Sequence, residues 1–152
     1  MKILLAVAAT TALLTGSTVS SEPEKPTIVL VHGAFADSSS WNGVISILEK
    51  DGYRVVAAAN PLRGLNSDAQ YVADIVGGIQ SPVVLVGHSY GGMVISQAAK
   101  PNVKALVYVA AFAPEVGESA IGLSGKFPGS TLGGALAAPV TLADGGKDHV
   151  WH

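Results

Sequence analysis

Ser89 lies within Gly87-His88-Ser89-Tyr90-Gly91, a G-x-S-x-G pattern. A serine hydroxyl is a weak nucleophile, and it attacks a carbonyl only when the chain lifts it into the open and a base is supplied. The pattern is common by itself, and its setting gives it weight. Residues 83–86 are a continuous apolar run, and Met93, Val94, Gln97 and Ala98 follow at helical spacing. A sharp strand–turn–helix places the serine at the crest of the turn and needs small residues two positions before and after it. Gly87 and Gly91 hold those positions, and Gly92 lets the helix approach the strand. The expected state of Ser89 is a strained backbone, an open hydroxyl and a position at the positive end of the following helix.

A second group of residues complements the first. His32-Gly33-Ala34-Phe35 directly follows the β-branched and apolar run Thr27–Val31. In a parallel sheet the carboxyl ends of neighbouring strands share one rim, so this loop and the serine turn can face each other. The amides of Ala34 and Tyr90 can then converge on a developing oxyanion. Phe35 is either a second donor or a pocket wall, and Phe112 is a further pocket candidate. His32 is expected to tie down its loop rather than to react.

The intervening elements alternate between two periods. Thr27–Val31 is read as a strand. Ser38, Ser39 and Ser40 offer caps for a helix through Trp41, Val44, Ile45 and Leu48, closed by Asp51-Gly52. Residues 53–58 read as a second strand. Ser67 or Asp68 is expected to cap a helix through Tyr71, Val72, Ile75 and Ile79, broken by Ser81-Pro82. A third strand, the helix after Gly91-Gly92 and a fourth strand over residues 103–110 complete the series. Strand–helix alternation with apolar strands predicts an α/β fold, a doubly wound, mostly parallel sheet with helices on both faces. Residues 27–114 are read as the core. Residues 115–152 read as the start of a cap region and an irregular tail, since residues 117–146 are rich in Gly, Ser, Pro and Ala without periodicity.

With these residues in place, the chain resembles the α/β-hydrolase superfamily, in the branch of methyl-ester hydrolases and hydroxynitrile lyases. The resemblance rests on Ile28-Val29-Leu30-Val31-His32-Gly33-Ala34, Trp41, residues 83–93, and the segment ending Ala111-Phe112-Ala113-Pro114. It covers roughly residues 26–115. It implies Ser89 as nucleophile, the Ala34 and Tyr90 amides as oxyanion hole, a cap after Phe112, a small-molecule ester as substrate, and no metal or organic cofactor. A dehalogenase is disfavoured, because its nucleophile would be a carboxylate. A lyase differs from an esterase in residues that the resemblance does not cover.

The same resemblance implies a triad in the order serine, acid, histidine, on separate later loops. Four histidines are available. His32 precedes the oxyanion loop, His88 sits inside the turn, and His149 and His152 are in the last four residues. Asp144 with His149, or Asp148 with His152, has the right order but lacks the intervening helix and strand. Glu115 is an acid candidate, weighed against an exposed turn carboxylate. No residue is thereby identified as triad acid or base, which counts against turnover by this chain alone and suggests a C-terminally truncated hydrolase. A non-catalytic small-molecule-binding module and an inactive fragment are the alternatives.

Composition bounds the rest. The chain has 152 residues, 49% of them hydrophobic and 13% charged, and its formal net charge is −2. That length suits one domain, and the charged fraction is about half the usual ~25%. Intrinsic disorder is disfavoured, and the absence of a basic run argues against nucleic-acid binding. The lack of cysteine excludes disulfides, thiolate zinc sites and a thiol nucleophile. Lys2 followed by the apolar residues 3–14 and the small, polar residues 15–21 has the layout of a secretory signal peptide. The apolar run is too short for a stable membrane span, which needs ~20 residues. Val19 and Ser21 suit cleavage before Glu22, followed by a solvated spacer over residues 22–26. The expected location is therefore secreted or periplasmic.

Overall fold

The computed structural model describes residues 24–126 and 128–148. The leader expected over residues 1–21, and both His149 and His152, lie outside the described residues. Among the described residues six strands and five α-helices follow in order: β1 (Thr27–Val31), α1 (Asn42–Lys50), β2 (Val55–Ala58), α2 (Leu65–Gly77), β3 (Val83–His88), α3 (Gly91–Gln97), β4 (Val103–Val109), α4 (Ala120–Lys126), α5 (Leu132–Ala135), β5 (Val140–Thr141) and β6 (Lys147–Asp148). A short 3-10 turn over Ser38–Trp41 leads into α1.

β1 to β4 form one sheet in the order β2-β1-β3-β4, and every neighbouring pair is parallel. This is the α/β arrangement expected from the alternating periods. β1 is buried along its whole length because both of its faces are covered. Val29 and Val31 point to one side and pack with Val72, Val76, Val94 and Ile95 of α2 and α3. Ile28 and Leu30 point to the other and pack with Trp41 and, beyond it, Ile45 and Leu48 of α1. The side-chain alternation of a strand thus divides one apolar run between two cores. β3 divides in the same way, with Val83 and Leu85 on the first side and Val84 and Val86 on the second. β4 is an edge strand, and Val107, Tyr108 and Val109 remain about two-fifths exposed.

Two expectations need correction. α2 begins at Leu65, after Gly64 at φ +154°, so neither Ser67 nor Asp68 is its cap. The Ser67 hydroxyl instead donates back to Gly64 O, and Asp68 accepts the backbone N–H of Arg63. Only glycine reaches that φ readily, so the helix can start three residues early. The stretch after residue 117 is also less irregular than expected. It forms α4, α5 and the antiparallel pair β5–β6. Gly122 and Gly125 inside α4 dilute the apolar signal that would have announced a helix. No helix among the described residues is long and apolar enough to cross a membrane.

Candidate active site

β3 ends at His88, and the chain turns within two residues into α3. Ser89 forms the crest of that turn at φ +53°. A non-glycine residue there costs about 1 kcal/mol or more, and it persists only where the surroundings impose it. Close backbone approaches impose it here. A Cβ on Gly87 would stand 2.6 Å from the carbonyl of Gly91. A Cβ on Gly91 would collide with Val31 O in β1, and one on Gly92 with Phe112 O beyond β4. Ser89 O accepts the amides of Gly92 at 3.0 Å and Phe112 at 3.1 Å, which ties the turn to the loop after β4. Leu62 and Ala110 also have positive φ, so three strained residues follow β2, β3 and β4 at one rim.

The loop after β1 meets this turn directly. A Cβ on Gly33 would lie 2.9 Å from Ser89 Cβ and 3.3 Å from His88 O. His32 is buried, and its Nδ1 is hydrogen-bonded to Gly33 O at 2.9 Å, which suits the tying-down role. The His88 ring stands edge-on to Trp41, with centroids 6.4 Å apart. Among the described residues neither histidine is hydrogen-bonded to Ser89.

Above the turn lies a mainly apolar cavity of about 600 Å³. Ala34, Phe35, Ser89, Tyr90 and Phe112 all line it, so the residues read as nucleophile, oxyanion donors and pocket lie around one space, whereas the acid candidates Glu115 and Asp144 do not line it. Ile121 and Ser124 of α4 form its outer wall; they were missed because their segment carried no period. Phe35 is a wall of this space, 41% exposed at its mouth. A more polar cavity of about 500 Å³ adjoins it, sharing Ala34, Phe35, Tyr90 and Ile121 and adding Arg63 and Lys147. Arg63 Nη1 lies 3.7 Å from Asp148 Oδ2 across its lip.

Glu115 is exposed, and its backbone N–H donates to Glu118 Oε2 in a local turn. That bond and the Lys126 ammonium hold the Glu118 carboxyl below its ordinary value. No cluster of three or more metal-ligating side chains occurs among the described residues. Asp68 is the residue sequence reasoning misplaced most: it is fully buried, and its Oδ2 accepts the Tyr90 hydroxyl at 2.9 Å.

The family model described as "Alpha/beta hydrolase family" matches residues 28–151. A carbendazim-hydrolysing esterase of Nocardioides sp. (strain SG-4G) is 37% identical over 113 residues, covering 64% of this chain and 47% of the relative. Methylesterase 8 of Arabidopsis thaliana is 31% identical over 123 residues, covering 70% and 45%. Among solved structures, an extracellular alpha/beta-hydrolase from a Paenibacillus species is 28% identical with a TM-score of 0.61, covering 73% of this chain and 50% of that one. The chain therefore spans about half the length of the curated relatives it matches.

Proposed function

The chain belongs to the alpha/beta hydrolase family, and on that premise we propose that it carries the nucleophile half of a carboxylic-ester hydrolase site, with Ser89 as nucleophile. The observation that carries this reading is the φ of +53° at Ser89, imposed by glycine-only contacts and opening onto the apolar cavity. Ser89 Oγ attacks the ester carbonyl, and its proton passes to a base. The amides of Ala34 and Tyr90, two residues that line the cavity, receive the negative charge on the carbonyl oxygen. Collapse of the tetrahedral species breaks the ester C–O bond, and the alcohol leaves with a proton. Water then adds to the acyl-serine and releases the acid.

The apolar cavity suits an uncharged acyl group, and the named activities of the relatives, an esterase and a methylesterase, favour an ester substrate. The base is not assigned to His32 or His88, whose rings are engaged with Gly33 O and Trp41. That engagement favours one second reading, in which the cavity binds a small apolar molecule without consuming it. Hydrolysis of p-nitrophenyl acetate and of methyl esters, lost in Ser89→Ala, supports the enzyme. Thermal stabilisation by an ester recovered unchanged supports the binding module.

We also propose that residues 1–21 direct export, on the pattern of Lys2, the apolar run and the small residues before Glu22. A mature chain beginning at Glu22 outside the cytoplasm supports this, and full-length protein retained inside counts against it.

A further inference from the structure

Asp68 has no place in the reaction described above, yet it is fully buried in the first turn of α2. A carboxylate without water is costly unless its oxygens are satisfied. Both are: Oδ1 accepts the Arg63 N–H at 3.0 Å, and Oδ2 accepts the Tyr90 hydroxyl at 2.9 Å. The Arg63 guanidinium pairs with Asp148 at 3.7 Å, and the two donors to the buried carboxylate, a backbone N–H and a phenol hydroxyl, are neutral. These donors belong to two loops of the same rim. Arg63 lies between Leu62 at φ +55° and Gly64 at φ +154°, and Tyr90 directly follows Ser89. Both Arg63 and Tyr90 line the adjoining cavity.

We infer that Asp68 is a positioning residue: through the Tyr90 side chain it holds the Tyr90 amide at the oxyanion position, and it fixes the Leu62–Arg63–Gly64 loop against the same wall. This rests on the ester-hydrolase reading. The Tyr90 ring is half-buried against the core, so a bond at its far end limits rotation of the whole residue. Burial, then the bond to Asp68, pushes the phenol above its ordinary value, so it remains a donor throughout the neutral range. An amide displaced by about 1 Å would lose much of its effect on the transition state, of order 100-fold.

The test compares wild type with Tyr90→Phe, Asp68→Ala, Asp68→Asn and the Asp68→Ala/Tyr90→Phe double variant. Two readouts are used: p-nitrophenyl acetate kinetics, and amide hydrogen exchange over residues 89–92. Tyr90→Phe and Asp68→Ala should lower kcat by about tenfold to 100-fold with KM within about twofold. The double variant should be no slower than the slower single variant, because both remove one link. Asp68→Asn keeps an acceptor for Arg63 and a donor for the Tyr90 oxygen, and it should recover most of the loss. Exchange at residues 89–92 should quicken in Tyr90→Phe and Asp68→Ala and return in Asp68→Asn. A Tyr90→Phe protein within twofold of wild-type kcat, or with exchange unchanged over residues 89–92, overturns the inference. If Asp68→Ala does not fold, Tyr90→Phe and Asp68→Asn decide. An inactive wild type sinks the hydrolase reading, while the exchange measurement still decides the tether.

Discussion

Gly33 and Ser89, 56 positions apart in the chain, stand so close that a Cβ on the first would reach within 2.9 Å of the Cβ on the second. The contact joins the loop after β1 to the turn after β3 and makes one site from two parallel strands paired side by side. It also explains why the sequence places Gly, not Ala, between His32 and Ala34: any side chain there displaces either the serine or the amide beside it.

Gly33→Ala should therefore separate the loop from the turn. The expected cost is about 1–3 kcal/mol of stability from overpacking. The rate of Ser89 acylation should fall by about 100-fold through misplacement. Urea unfolding gives the first value, and stopped-flow release of p-nitrophenol gives the second. Unchanged acylation would show that the close approach has no part in the reaction.

Gly92 and Gly43 offer a contrast within one residue type. A Cβ on Gly92 would collide with the Phe112 carbonyl, whereas nothing lies within 4 Å of one on Gly43 in α1. Gly92→Ala should destabilise by about 1–3 kcal/mol or more, since backbone cannot rotate away. Gly43→Ala should stabilise by about 0.5–1 kcal/mol, because it removes backbone freedom from an exposed helix. Paired denaturant midpoints check both signs.

The Tyr90 phenol supplies a pH signature. Burial and the Asp68 bond raise its value in the folded chain above the ordinary 10.0, so the folded state keeps a proton that the unfolded state releases. Stability is unaffected below that range and falls as pH rises through and beyond 10.0. The fall in Tm between about pH 9 and pH 11 should be steeper in wild type than in Tyr90→Phe. Equal slopes in thermal scans would contradict the buried, bonded phenol.

The sheet and the serine turn were legible in the sequence for a shared reason. β1 and β3 are covered on both faces, so their residues form uninterrupted apolar runs, and the turn allows only glycine at the close contacts. Asp68 was misread as a helix cap because caps and buried tethers use the same residue types. One of its two partners, Tyr90, is 22 positions away and leaves no local trace. α4 escaped notice because its apolar positions face an open cavity, where Ile121 stays 87% exposed and no strict period is required. A base for the proposed nucleophile leaves no signal in spacing, since triad members meet through the fold rather than along the chain.

The proposal that Ser89 is the nucleophile is tested most directly by treating the folded protein with a fluorophosphonate and mapping the adduct by mass spectrometry. The proposed function predicts one adduct per chain, on the peptide containing Ser89. It should be lost in Ser89→Ala and after unfolding in denaturant, because only the folded turn holds the serine at φ +53°. No adduct on the folded protein, or an adduct on Ser124 or Ser130 of the same cavity instead, would contradict it.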